Sequence, residues 1–94
     1  MGRQRLHARV TGRVQQVGFR GFVVQESRRL RLTGFVRNLG REQVEVVAEG
    51  EQANLEQLVE ALRQGPAMAR VTNVQVSWSE ALGDQPAFTV RPSG

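Results

Sequence analysis

The chain has 94 residues, 39% hydrophobic and 23% charged, a composition typical of one globular domain with a single core. It has no cysteine, which excludes disulfide scaffolds, thiol nucleophiles and thiolate metal sites, and its one histidine, His7, cannot form a ligand cluster alone. All thirteen cationic side chains are arginine, and the formal charge of +4 makes an anionic partner worth considering.

The first half of the chain predicts a strand, a helix and a hairpin. Residues 5–11 alternate between apolar and polar side chains, which indicates a half-buried strand. From about residue 20 to 31 the apolar side chains recur at helical spacing, which predicts a helix. Residues 33–39 and 43–49 predict two strands joined by a turn at residues 40–42.

The second half predicts a helix and two further strands. The helix lies between Gly50 and the stop signal that begins at Gly65. Residues 70–79 alternate as a strand, and Phe88 and Val90 mark a short last strand. The apolar positions that define the helix are Leu55, Leu58, Val59 and Leu62.

This order of elements predicts an α+β fold, namely a ferredoxin-like βαββαβ sandwich with an extra C-terminal strand. Two helices then cover one face of an antiparallel sheet, and residues 1–94 form a single domain. On its alternating strand, Trp78 is expected in the core. No stretch of the chain is apolar enough to span a membrane, and its start, MGRQRLHARV, lacks the apolar region of a signal peptide. We therefore expect a cytoplasmic protein.

The most informative segment is TGRVQQVGFR, residues 11–20, which joins the first strand to the first helix. Its glycines at positions 12 and 18 permit a turn that points backbone N–H groups outward. Together with the unpaired donors and the positive dipole end of the helix that follows, these groups create an anion site suited to phosphate. Arg20 can add a guanidinium whose planar fork matches two oxygens of a phosphoryl group. The alternative is that the glycines only form a tight turn and that Arg20 is a solvated residue. Arg13 can likewise add positive potential or be solvated.

An RNA-binding module is the main rival class, because the RNA-recognition motif has the same strand and helix order. In the fragment Arg20-Gly21-Phe22-Val23, the first three residues match the start of its RNA-binding signature. However, Val23 replaces the Gly or Ala of that signature, and the fragment falls on the predicted helix. With no tyrosine, four phenylalanines and one tryptophan, few aromatic rings remain to stack on bases, which argues against nucleic acid as a partner.

Two motifs resemble the acylphosphatase family, whose pattern is G-x-V-Q-G-V-x-F-R followed by G-x-V-x-N. The segments 44–50, 62–71 and 74–78 also resemble the family, so the similarity covers nearly the whole chain. The positions that match the two motifs are Gly12, Val14, Gln15, Val17, Phe19 and Arg20, and then Gly34, Val36 and Asn38.

The resemblance implies hydrolysis of acyl phosphates to a carboxylate and inorganic phosphate, which is both product and inhibitor. It assigns Arg20 to phosphate binding and Asn38 to the attacking water, with no cofactor and no metal. It also implies a small-molecule substrate, and we expect a monomer without membrane contact. Gln15 can brace the loop by a side-chain hydrogen bond or remain exposed. The residues implied to bind substrate are Val14, Gln15, Gln16, Val17, Gly18 and Phe19.

The chain departs from the family pattern at two places. The second glycine of the loop is Gln16, and Gly40-Arg41-Glu42 replaces the usual Asp-Gly turn. Gly40 can still supply the positive φ of a hairpin turn. Gln16 lies inside the implied phosphate loop, so the alternative function is a catalytically weakened relative that binds an anion or nucleic acid.

Overall fold

A computed structural model describes residues 3–94 and contains the seven predicted elements in the predicted order. Most boundaries agree with the sequence interpretation to within two residues, and the second strand agrees at both ends. The elements are β1 (Arg3–Arg13), α1 (Phe19–Arg29), β2 (Thr33–Leu39), β3 (Gln43–Glu51), α2 (Gln52–Gln64), β4 (Arg70–Glu80) and β5 (Phe88–Val90).

The five strands form one sheet in the order β4-β1-β3-β2-β5. The pairs β1–β4, β1–β3 and β2–β3 are antiparallel, as the ferredoxin-like prediction requires. The short β5 instead pairs in parallel with β2, where Val36 lies beside Val90. The predicted fold is therefore confirmed, with the correction that the extra strand makes the sheet mixed and not wholly antiparallel.

Both helices pack on the same face of the sheet, α1 over β2 and β5 and α2 over β4, β1 and β3. The helical spacing of the apolar residues in α2 produces this packing, because Leu55, Leu58 and Leu62 face inward and are fully buried. The sheet contributes rows of small apolar side chains to the same core. One such row across the sheet consists of Val36, Val46, Ala8 and Val76.

The other face of the sheet is crossed by residues 81–87, which connect β4 at one edge to β5 at the opposite edge. Glu49 anchors this connection, since its carboxylate accepts hydrogen bonds from the backbone N–H groups of Leu82 at 2.8 Å and Gly83 at 2.9 Å. The guanidinium of Arg5 donates to the same carboxylate at 2.8 Å. Burial alone would raise the pKa of the Glu49 carboxyl, but these donors outweigh it and hold that pKa below its ordinary value. The ionised form therefore stabilises the connection.

Trp78 is not in the core, contrary to the sequence expectation. Trp78 pairs with Leu6 of β1 and lies on the helix-covered face of the sheet, yet it is 42% exposed. The reason is the place of β4 at the edge of the sheet, where no strand covers its outer side. None of the helices formed by residues 3–94 is long and apolar enough to cross a membrane.

Candidate active site

The segment between β1 and α1 forms a loop with two residues in left-handed conformation. Gly18 has φ 79° and is the N-cap of α1, so the missing side chain allows the chain to enter the helix from a tight turn. Gln16 has φ 62°, a conformation that a residue with a Cβ adopts only at some cost. The loop is thus locally strained at the place where the sequence predicts a phosphate site.

The loop and the first turn of α1 present a run of unpaired backbone N–H groups. The first backbone hydrogen bond of the helix runs from the N–H of Phe22 to the carbonyl of Gly18 at 3.0 Å. Within residues 3–94, the N–H groups of residues 15–21 donate no hydrogen bond. No side chain caps the helix, and its first turn contains no acidic residue. These donors, at the positive end of the helix dipole, are suited to bind an anion.

Gln15 fixes the loop to the neighbouring hairpin. Its side-chain amide Nε2 lies 2.9 Å from the carbonyl of Gln43, 3.0 Å from that of Gly40 and 3.3 Å from that of Leu39. The sequence allowed Gln15 either to brace the loop by hydrogen bonds or to remain exposed, and the structure shows the hydrogen bonds. Gly40 has φ 56°, so the turn retains the positive φ expected there despite its unusual sequence.

A hollow of about 310 Å³ lies inside the loop. Five of the eight predicted site residues line it, among them the half-buried Arg20. The sequence analysis did not identify Gly21 and Val90 as lining residues. Gly21 has no side chain whose chemistry indicates a function. Val90 is brought to the hollow by the parallel pairing of β5 with β2. The lining consists of Val14, Gln16, Gly18, Phe19, Arg20, Gly21 and Val90.

The other three predicted residues lie outside the lining of this hollow. Gln15 points to the hairpin, and Val17 packs against the core. Asn38 lies on β2, on the helix-covered face and two residues after Val36, the partner of Val90. Its side-chain Oδ1 is buried and accepts no hydrogen bond from residues 3–94. A buried amide oxygen without a partner is costly to the fold, and a hydrogen-bond donor bound at the site would satisfy it.

The chemistry of the site comes from donors and positive charge. Among residues 3–94, no three or more His, Cys, Asp or Glu side chains cluster in a way that could hold a metal ion. The ionisable side chain that lines the hollow is that of Arg20, and it forms no ion pair within the described chain. The arrangement can therefore bind and stabilise an oxyanion, and Asn38 lies on β2 two residues beyond Val36, the partner of the lining residue Val90.

The chain is similar to known proteins over nearly its whole length. A family model described as Acylphosphatase matches residues 6–90. An acylphosphatase from Salinibacter ruber is 49% identical over 88 residues, which cover 94% of this chain and 93% of the relative. Another from an Anaeromyxobacter species is 49% identical over 87 residues, covering 93% and 94%. The crystal structure of the Bacillus subtilis acylphosphatase superposes with a TM-score of 0.90 at 36% identity, covering 94% of this chain and 98% of that one.

Proposed function

The chain belongs to the acylphosphatase family and hydrolyses acyl phosphates, and we propose that residues 14–20 form its phosphate-binding loop and that Arg20 and Asn38 are its catalytic residues. The observation that carries this proposal is the unpaired run of N–H groups at residues 15–21 beside Arg20. None of the comparisons favours the alternative of a weakened binding module.

The loop holds the phosphoryl group of the substrate. Phosphoryl transfer depends mainly on positioning and on stabilisation of charge at the phosphoryl oxygens. The backbone donors supply that stabilisation without reorganisation, because the Gln15 brace and the helix start already hold them in place. The guanidinium of Arg20 contacts two phosphoryl oxygens and neutralises their charge.

The side chain of Asn38 orients the attacking water, which donates a hydrogen bond to the unpartnered Oδ1. The site supplies no carboxylate or imidazole base, so a phosphoryl oxygen of the substrate takes the proton of that water. The leaving group is a carboxylate whose conjugate acid has a pKa of about 4 to 5, so it departs without a general acid. The water oxygen forms a new bond to phosphorus, and the bond between phosphorus and the acyl oxygen breaks.

The same leaving group makes a Lewis acid unnecessary, and we include metal-independent turnover in the proposal. Inorganic phosphate binds in the loop as the product and inhibits. The protein acts as a monomeric, cytoplasmic single domain of residues 1–94, which cell fractionation and size-exclusion chromatography can test.

Hydrolysis of benzoyl phosphate in excess chelator tests this proposal. We expect turnover at an unchanged rate with and without the chelator, and competitive inhibition by inorganic phosphate. Loss of activity in the chelator, with recovery on adding a divalent ion, would contradict the metal-independent mechanism. Inhibition by phosphate that is not competitive would place the anion site elsewhere.

A further inference from the structure

Charge is distributed unevenly along the sheet. We call the end where β1 and β2 finish and β3 and β4 begin the loop end, formed by residues 11–20, 38–43 and 63–73. Of the thirteen arginine side chains and nine Asp or Glu side chains of the chain, five arginines but only one carboxylate, that of Glu42, fall within these three ranges. The five are Arg13, Arg20, Arg41, Arg63 and Arg70.

A second hollow borders the start of the phosphate loop. Its volume is about 440 Å³, and two arginines with exposed side chains line it, Arg13 from the end of β1 and Arg41 from the β2–β3 turn. It shares Val14 with the first hollow, so the two sites adjoin. Because Gln15 ties the loop to the turn that carries Arg41, the two hollows are held in a fixed relation.

The positive charge at the second hollow is not neutralised by ion pairs within residues 3–94. Arg13 lies directly opposite Arg70 on the neighbouring strand, and like charges in that position destabilise a sheet. Within residues 3–94, neither of them nor Arg41 forms an ion pair. Arg5 and Arg37, on the sheet face opposite the helices, both pair with carboxylates, as do Arg29 and Arg63, whereas the other nine arginines form no ion pair within residues 3–94. An anion bound between Arg13 and Arg41 would relieve this unfavourable arrangement.

We propose that this second hollow binds an anionic group on the acyl part of the substrate, so that the enzyme prefers acyl phosphates carrying a second negative charge. This inference rests on the proposed function, because it requires the phosphoryl group to occupy the adjoining loop. Arg13 and Arg41 bind the second group directly. Glu42, whose residue lines the same hollow, opposes its binding.

Two substrates of matched shape test the proposal. They are 4-carboxybenzoyl phosphate, which bears the second charge, and 4-carbamoylbenzoyl phosphate, in which a neutral amide replaces that carboxylate. We expect the wild-type enzyme to have a kcat/KM about tenfold higher for the carboxylate compound, since each exposed ion pair contributes up to about fivefold. High salt should reduce this preference.

Four variants locate the effect. Arg13→Gln and Arg41→Gln should each lower the preference by about threefold to fivefold. Glu42→Gln should raise the preference, because it removes the opposing charge. Arg9→Gln is the matched control: it removes an exposed arginine that lies outside the loop end and lines neither hollow, and should leave the preference unchanged. The kcat for the amide compound should be unchanged in all four.

The proposal is overturned if the wild-type enzyme does not discriminate between the two compounds, or if Arg13→Gln and Arg41→Gln keep its preference. It is also overturned if Arg9→Gln lowers the preference as much as they do, since the effect would then come from the net charge of the protein. Failure to hydrolyse either compound would instead contradict the proposed function.

Discussion

The two ends of the sheet differ in how they treat polar groups. Opposite the loop end, the fully buried carboxylate of Glu49 accepts three hydrogen bonds, from Leu82, Gly83 and Arg5. At the loop end, the N–H groups of residues 15–21 and the Oδ1 of Asn38 have no partner within the described chain. Satisfied groups hold the fold together, whereas groups that bind a ligand must remain unpaired until it arrives. Stability and activity should therefore respond to substitutions at different ends.

Substitution of Arg20 should have the largest effect and should act on activity alone. Arg20→Ala and Arg20→Lys should both lower kcat/KM by about 10²- to 10³-fold, because lysine keeps the charge but loses the bidentate contact. Steady-state kinetics with benzoyl phosphate and inhibition by inorganic phosphate measure the loss. The free energy of unfolding should hardly change. Wild-type kinetics in Arg20→Lys would place the phosphate site elsewhere.

Substitution of Glu49 should have the opposite outcome. Glu49→Gln removes an ionised acceptor from between three donors, and should lower the free energy of unfolding by about 3 kcal/mol while the folded enzyme keeps its kcat. Denaturant unfolding measures the change, and the exposed Glu80→Gln is the control, expected to stay within about 0.5 kcal/mol of wild type. A large loss of kcat in a fully folded Glu49→Gln variant would contradict the proposal that stability and activity depend on different ends of the sheet.

The same carboxylate gives the stability a specific dependence on pH. The pKa of Glu49 is lower in the folded chain than in the unfolded one, so its contribution is complete above the unfolded pKa of about 4.3. That contribution is lost as the pH falls through the lower, folded pKa. Unfolding free energies measured from pH 6 downward should therefore fall less steeply in Glu49→Gln than in the wild type. Parallel curves would show that the carboxylate does not stabilise the connection.

Asn38 should affect turnover and not phosphate binding. Asn38→Ala should lower kcat by about 10²-fold, since a misplaced water loses its alignment with the phosphorus, while the inhibition constant of phosphate changes little. The fold should survive, because the substitution removes a buried acceptor that has no partner within the described chain. Equal losses in kcat and in phosphate inhibition would indicate a damaged loop, and an unchanged kcat would remove Asn38 from the mechanism.

Substitution of Gln16 should have the smallest effect. It separates the effect of backbone strain in the loop from the effect of the loop on turnover. At φ 62°, replacement by glycine relieves strain and should raise the free energy of unfolding by about 1 kcal/mol, with turnover retained or modestly improved. Thermal denaturation and kinetics measure the two effects. An inactive wild type that gains hydrolysis in Gln16→Gly would show instead that the glutamine side chain blocks the site.

The local elements were predictable from the sequence, and the contacts between distant segments were not. Apolar spacing at Leu55, Leu58 and Leu62 defines α2, and alternation defines the strands. Alternation assigns Trp78 to a face of its strand, but it says nothing about whether that strand lies at an edge, so the core prediction was wrong.

The parts of the site formed by residues close together in the sequence were predictable. The parts formed by contacts between distant segments were not. The loop and the start of α1 follow from neighbouring residues, and the left-handed glycine at position 18 agrees with that interpretation. The contribution of Val90 depends on the parallel pairing of β5, and the Gln15 brace depends on three carbonyls of a hairpin more than twenty residues away. No local sequence signal specifies either contact.

Titration of the ¹⁵N-labelled protein with inorganic phosphate, followed by NMR, tests the central claim most directly. If the unpaired N–H groups form the phosphate site, the amide signals of residues 15–21 and the guanidinium signal of Arg20 shift most and saturate together, while those of Leu82 and Gly83 remain in place. Saturable shifts centred on any other segment, or no shifts in residues 15–21 at concentrations of phosphate that inhibit turnover, would contradict the account.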